Sequence, residues 1–126
     1  DQLQGTERLL VVEDAESLRD LIGTMLSSFG YEVLLAAGGV QALEIESENR
    51  GEIDLVISDV VMPEMSGTEL ADELLAVSPN LNVLFISGYP SDRAVSAGRT
   101  DDRFSFMQKP FSAVDLARKV REILDE

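Results

Sequence analysis

The sequence contains no histidine, no cysteine and no tryptophan. Without histidine the chain cannot assemble a Ser-His-Asp or Cys-His nucleophile system, a His-ligated zinc site or a phosphohistidine of its own. Without cysteine there is no disulfide framework. No apolar run approaches the roughly 20 residues that a bilayer crossing needs, and no secretory signal is recognisable. The cytoplasm is therefore the expected compartment, without membrane contact by this domain. Basic residues are scarce: 10 against 24 acidic ones, a formal charge of −14. Those ten are scattered, whereas phosphate-backbone binding needs a clustered basic face, so no direct nucleic-acid partner is expected. What remains is carboxylate, hydroxyl and lysine chemistry.

With 126 residues, 44% of them apolar and 27% charged, the chain has the size and balance of one folded domain. It opens on Asp1 in a polar stretch, DQLQGTE, which reads as a lead-in over residues 1–7 to a domain over 8–126, either cut from a longer protein or otherwise processed. Short continuous apolar runs recur at steady intervals: LLVV from Leu9, VLLAA from Val33, LVI from Leu55, NVLFI from Asn82 and FSFM from Phe104. Continuous rather than alternating runs mark strands covered on both faces. Helical periodicity lies between them. Leu18, Leu21, Ile22, Met25, Leu26 and Phe29 form one stripe, with Gly30 as its stop. Ser66 with Glu69, and Ser112 with Asp115, have capping-box spacing ahead of two further helices. A less tidy helix is expected from Val40 to about Glu48. A poor one, short of apolar anchors, falls in SDRAVSAGRTDD. Strand and helix alternating five times predict an α/β fold, a flavodoxin-like (βα)5 doubly wound parallel sheet of order 2-1-3-4-5.

In such a sheet ligands sit outside the carboxyl ends of the strands, near the switch between strands 1 and 3. Strand 1 ends in Glu13 and Asp14, strand 3 in Asp59, strand 4 in Ser87 and strand 5 in Lys109. Strand 2, at the sheet's margin, ends in Ala37, Gly38 and Gly39. Each polar residue alone has an ordinary explanation: a helix cap for Asp14, turn positions for Asp59 and Ser87, a solvated surface amine for Lys109. Their coincidence at one edge favours a site. Three adjacent carboxylates repel one another and call for a cation. All-oxygen donors favour a hard ion, and Mg²⁺ fits best. A carboxylate beside Mg²⁺ can accept a phosphoryl group, with lysine and serine meeting the phosphoryl oxygens.

VVED (Val11 to Asp14), DVVMPEMSG (Asp59 to Gly67), ISG (Ile86 to Gly88) and KPF (Lys109 to Phe111) stand in that order and spacing. On these motifs the chain, from Arg8 to Leu124, resembles the receiver domain of two-component response regulators. The resemblance implies that Asp59 is the phosphoacceptor, served by a phosphohistidine on a histidine kinase or a histidine phosphotransfer protein. It implies that Asp14 and Asp59 bind Mg²⁺ directly, with the backbone carbonyl of Val61 as a third ligand and Glu13 acting through water. It makes Lys109 the partner of the phosphoryl group and the Lys109–Pro110 bond cis. Ser87 and Phe106 become a switch pair, the serine moving toward the phosphoryl group and the ring rotating inward, although Phe106 also reads as a core aromatic. The activity implied is phosphoacceptance, from small donors as well, with self-dephosphorylation.

Val61 and Tyr89 flank the approach of a hydrolytic water. Val61 has no side-chain hydrogen bond to orient it and the Tyr89 ring can cover it, so slow self-hydrolysis is expected. The lead-in GTERLLVVED and the SGYP stretch resemble receivers fused behind the core of hybrid histidine kinases; a stand-alone regulator, or one cut from its output domain, is the alternative. With nothing after the final helix, no DNA-binding output domain is expected in this chain. Three other classes compete. A haloacid-dehalogenase phosphatase wants an acid where Val61 stands. A flavodoxin-like binding module wants a phosphate-welcoming loop where Glu13 and Asp14 stand. A degenerate receiver acting only as a docking module keeps the motif without the chemistry.

Overall fold

The structure, a computed structural model, describes residues 3–88 and 104–125. Five strands, β1 (Arg8–Val12), β2 (Glu32–Ala36), β3 (Leu55–Asp59), β4 (Asn82–Ser87) and β5 (Phe104–Gln108), form one parallel sheet in the order β2-β1-β3-β4-β5. Four helices accompany them among the described residues: α1 (Glu16–Ser28), α2 (Gly39–Glu48), α3 (Gly67–Val77) and α4 (Ala113–Leu124). The expected helix in SDRAVSAGRTDD, and Tyr89, lie outside the described residues.

Successive side chains of a strand point to opposite faces, so each apolar run feeds two cores. Leu9, Val11, Leu55, Ile57, Leu84 and Ile86 turn toward α1 and α4, where Ile22, Leu26, Leu116, Val120 and Ile123 meet them. Leu10, Val12 and Val56 turn the other way, onto Leu70 and Leu74 of α3 and Ala42 of α2. Near the β4–β5 side, Phe85 stacks on Phe106 at 5.4 Å between ring centres, with Phe104 tilted against it at 5.5 Å. Full burial of each large apolar side chain contributes about 1.5–3 kcal/mol, and the two-faced packing fixes the register.

Both predicted capping boxes form. Ser66 Oγ accepts from Glu69 N and Ser112 Oγ from Asp115 N, and each acid bonds back to its cap's main chain. The α1 stripe needs one correction: Leu21 is 50% exposed, at the margin of the face that Leu18, Ile22, Met25, Leu26 and Phe29 present inward. Gly30 ends that helix at φ 99°, a left-handed conformation suited to glycine. A Cβ there would also stand 2.6 Å from the carbonyl oxygen of Gly5. Gly5 N donates to Phe29 O at 3.0 Å, which ties the lead-in to the helix end. No described helix is long and apolar enough to cross a membrane.

Candidate functional site

The register brings the predicted residues together. Val12 of β1 pairs with Ser58 of β3, Asp59 with Ile86 of β4, and Ser87 with Gln108 of β5. Glu13, Asp59, Ser87 and Lys109 therefore emerge at one level of the sheet. Carboxylate oxygens of Glu13, Asp14 and Asp59 all lie within 4.8 Å of one another. Lys109 starts two strand spacings from β3, about 10 Å. Its long stem spans that gap: Nζ lies 2.9 Å from Asp59 Oδ2 and 3.5 Å from Glu13 Oε1. Lys109 N donates to Ser87 O at 2.8 Å, and the following bond to Pro110 is cis.

Asp59 is 9% exposed and ends a fully buried strand. One of its oxygens, Oδ1, accepts from Val61 N at 3.3 Å while the other faces Lys109. The loop that follows is held closely. Val60 N donates to Ile86 O at 3.1 Å, and Gly67 N donates to Val60 O at 2.8 Å. A Cβ on Gly67 would stand 2.1 Å from Asp59 O, so α3 can start this near the acceptor strand only on a glycine. Glu64 sits within the loop at φ 69°, a left-handed conformation that L residues resist. Val61 is 60% exposed at the mouth of the site.

Asp14 is exposed, and capping α1 is not its role: the N-cap is Ala15, with no side-chain cap. Glu13 is 3% exposed, and its Oε2 accepts from Ala15 N at 3.0 Å. Burial, reinforced by the neighbouring Asp59 carboxylate, pushes the Glu13 carboxyl up to about 7 against the Ala15 N–H and Lys109. Burial alone would lower Lys109, but its bonds to Asp59 and Glu13 outweigh that and raise it. Among the described residues, three carboxyls against one contacting lysine leave negative charge in excess. The donor set therefore fits a hard divalent cation: oxygen only, partly buried, and short of positive charge.

Ser87 is 3% exposed at the end of β4, and Phe106 stands half-buried on Phe85. The carboxyl end of β2, followed by Ala37, Gly38 and Gly39, brings no acid or base, as its sequence implied. Two residues of the neighbourhood carried little signal in the sequence. Gly67 marked only the end of a motif, although glycine in a helix's first turn is a poor helix former and hints at close packing. Arg19 looked like a solvated helix residue, yet its Nη1 donates to Glu13 O at 2.9 Å with the side chain only 15% exposed.

Residues 9–121 match the family model of the response regulator receiver domain. Over 124 residues, 98% of this chain, the sequence is 44% identical to the sensor kinase CckA of Brucella abortus, of whose length it spans 13%. The crystal structure of the receiver domain from the hybrid histidine kinase CckA superposes with a TM-score of 0.80 at 38% identity, covering 93% of this chain and 98% of that one. The response regulator TrrA of Thermotoga maritima, solved in complex with Mg²⁺-BeF, superposes with a TM-score of 0.81 at 30% identity, covering 94% of this chain and 100% of that one. A match that runs through nearly the whole chain, in sequence and in fold alike, means that this protein belongs to the response regulator receiver domain family of two-component signalling.

Proposed function

We propose that Asp59 accepts a phosphoryl group from a phosphohistidine on a histidine kinase or histidine phosphotransfer protein, in a Mg²⁺-dependent reaction at this cytoplasmic domain. One observation carries this most directly: a buried strand-end carboxylate 2.9 Å from a lysine amine and clustered with two further acids. In the transfer an Asp59 oxygen attacks phosphorus and the new O–P bond forms as the P–N bond to the donor imidazole breaks. The imidazole leaves with the electron pair and takes a proton from water. Lys109 Nζ, already against Asp59, meets the charge of the arriving phosphoryl oxygens. Asp14 and Asp59, with the Val61 carbonyl and with Glu13 through water, would hold the Mg²⁺, which when bound neutralises phosphoryl charge. Residues 8–126 form the receiver and 1–7 its lead-in, and Ser87 and Phe106 carry the two-state readout. The 44% identity to a sensor kinase over 98% of this chain supports a receiver fused to a hybrid kinase, so that the donor can act in cis.

The test is intact mass after incubation with acetyl phosphate and Mg²⁺. One added phosphoryl group is expected, absent in Asp59→Asn and in the presence of a chelator. The decay of that mass in the same samples reads hydrolysis: Val61→Asn with Tyr89→Glu is expected to shorten the lifetime, and an unchanged lifetime would remove these two residues from the account. A folded protein that takes no phosphoryl group from acetyl phosphate or from a phosphohistidine donor would be a docking module instead.

A further inference from the structure

Asp14 poses a question of placement. It is exposed and caps no helix, yet a metal ligand has to be held in position. The peptide groups on both sides of it are held. On the far side, Ala15 N donates to Glu13 Oε2 at 3.0 Å. On the near side, Glu13 N is still in register with the sheet, donating to Ala36 O at 3.1 Å, while the Glu13 carbonyl accepts from Arg19 Nη1 at 2.9 Å. A peptide group is planar, so fixing its carbonyl fixes the plane through to the next Cα, here that of Asp14. We infer that Arg19 is a positioning residue of the metal site, orienting Asp14 through the Glu13–Asp14 peptide.

The alternative, that Arg19 is there for an ion pair along α1, is poorly supported by its geometry. Its acidic neighbour Glu16 is three residues back, 4.0 Å away, with its side chain 84% exposed. Withdrawing a guanidinium to 15% exposure for so weak a pair would leave its desolvation uncompensated. A charge-assisted bond to a main-chain carbonyl is stronger and directional. The contact also adds positive charge behind a crowded acidic edge without placing a cation among the ligand oxygens, where it would compete with the metal.

This inference rests on the proposed function, because it needs Mg²⁺ to bind at this edge. The test is isothermal titration of the whole chain with Mg²⁺, no phosphodonor present, beside melting with and without Mg²⁺. Arg19→Ala is expected to weaken Mg²⁺ binding about tenfold, the scale of losing a contact that orients a metal ligand. Arg19→Lys, which can still donate to the carbonyl, is expected to restore part of it. Arg118→Ala, a control at a side chain 65% exposed on α4, removes the same charge and is expected to leave the affinity within about twofold. A lower melting temperature for Arg19→Ala with wild-type Mg²⁺ affinity would make Arg19 merely structural and overturn the inference. So would equal weakening by Arg118→Ala, since net charge would then be the cause. Should Arg19→Ala not fold, Arg19→Lys decides: weakened affinity supports positioning, while unchanged affinity in both Arg19→Lys and Arg19→Gln overturns it. Failure of the wild-type protein to bind Mg²⁺ would overturn the proposed function along with the inference.

Discussion

The two edges of the sheet use the same residue types to opposite ends. At the carboxyl edge Glu13, Asp14 and Asp59 crowd within 4.8 Å, and Lys109 is the one described cation in contact with their carboxylates. At the amino edge, among the described residues, several acids meet an arginine. Arg8 pairs with Glu32 and, at 3.1 Å, with Glu52. Arg121 grips both oxygens of Glu7 at 2.8 and 2.9 Å and reaches Asp125 at 2.7 Å, with its guanidinium 5.9 Å from the centre of the Tyr31 ring. Glu46, 2% exposed near the end of α2, accepts from Arg50 at 3.0 Å and from Ser78 Oγ, at the end of α3, at 2.7 Å. Paired charge holds the fold at one edge. Carboxylates crowded around one lysine, kept in place by that fold, form the acidic cluster proposed for Mg²⁺ at the other.

If the edges differ in this way, removing an acid has opposite signs at the two. The largest effect is expected at Glu46. Glu46→Ala deletes a buried carboxylate that joins α2 to the end of α3 and strands the Ser78 hydroxyl, for a loss of about 2 kcal/mol. Arg50→Ala removes only the 51% exposed partner and is expected to cost less than about 1 kcal/mol. Denaturant unfolding separates the two, and equal losses would mean that pairing with Arg50, not the Ser78 contact, sets what Glu46 contributes. At the other edge Glu13→Gln keeps the shape and an acceptor for Ala15 N while removing a repulsive charge. It is expected to raise stability without Mg²⁺ by about 1 kcal/mol and to abolish most of the further rise that Mg²⁺ gives. A destabilised Glu13→Gln would end the contrast between the edges.

Much of this was legible in the sequence because sheet order converts strand ends into neighbours. Once LLVV, LVI, NVLFI and FSFM are strands in a 2-1-3-4-5 sheet, Glu13, Asp59, Ser87 and Lys109 have to share an edge. The capping boxes were legible for a similar reason: Ser66 with Glu69 and Ser112 with Asp115 are local contacts, specified by spacing alone. Contacts of a side chain with a distant main chain leave no such trace. Nothing in the residue types says that Arg19 bonds the Glu13 carbonyl rather than water, or that Gly67 lies under Asp59 O. Leu21 misled for a related reason, since helical period defines a stripe but not how wide a face the neighbouring strands cover. The amino-edge pairs were equally hidden: Glu7 and Arg121 are 114 positions apart.

The smallest effect tests the amino edge through pH. The Arg121 hydrogen bonds, opposed by partial burial, hold Glu7 below its ordinary value of 4.5. A carboxylate whose folded value is depressed stabilises the fold above the unfolded value and loses that contribution as pH falls through the folded one. Glu7→Gln removes the linkage altogether. Wild type is therefore expected to melt about 3 °C above Glu7→Gln at neutral pH, for a pair worth roughly 0.5–1 kcal/mol at this partial exposure. The gap should close as pH is taken below 4.5, because the wild-type carboxyl then becomes neutral as well. Comparing the two proteins at each pH cancels the general acid destabilisation they share. A gap that persists unchanged into acid would mean that the Glu7 side chain acts through shape and neutral hydrogen bonding to Arg121 rather than through its charge, and that charge pairing is not what distinguishes this edge.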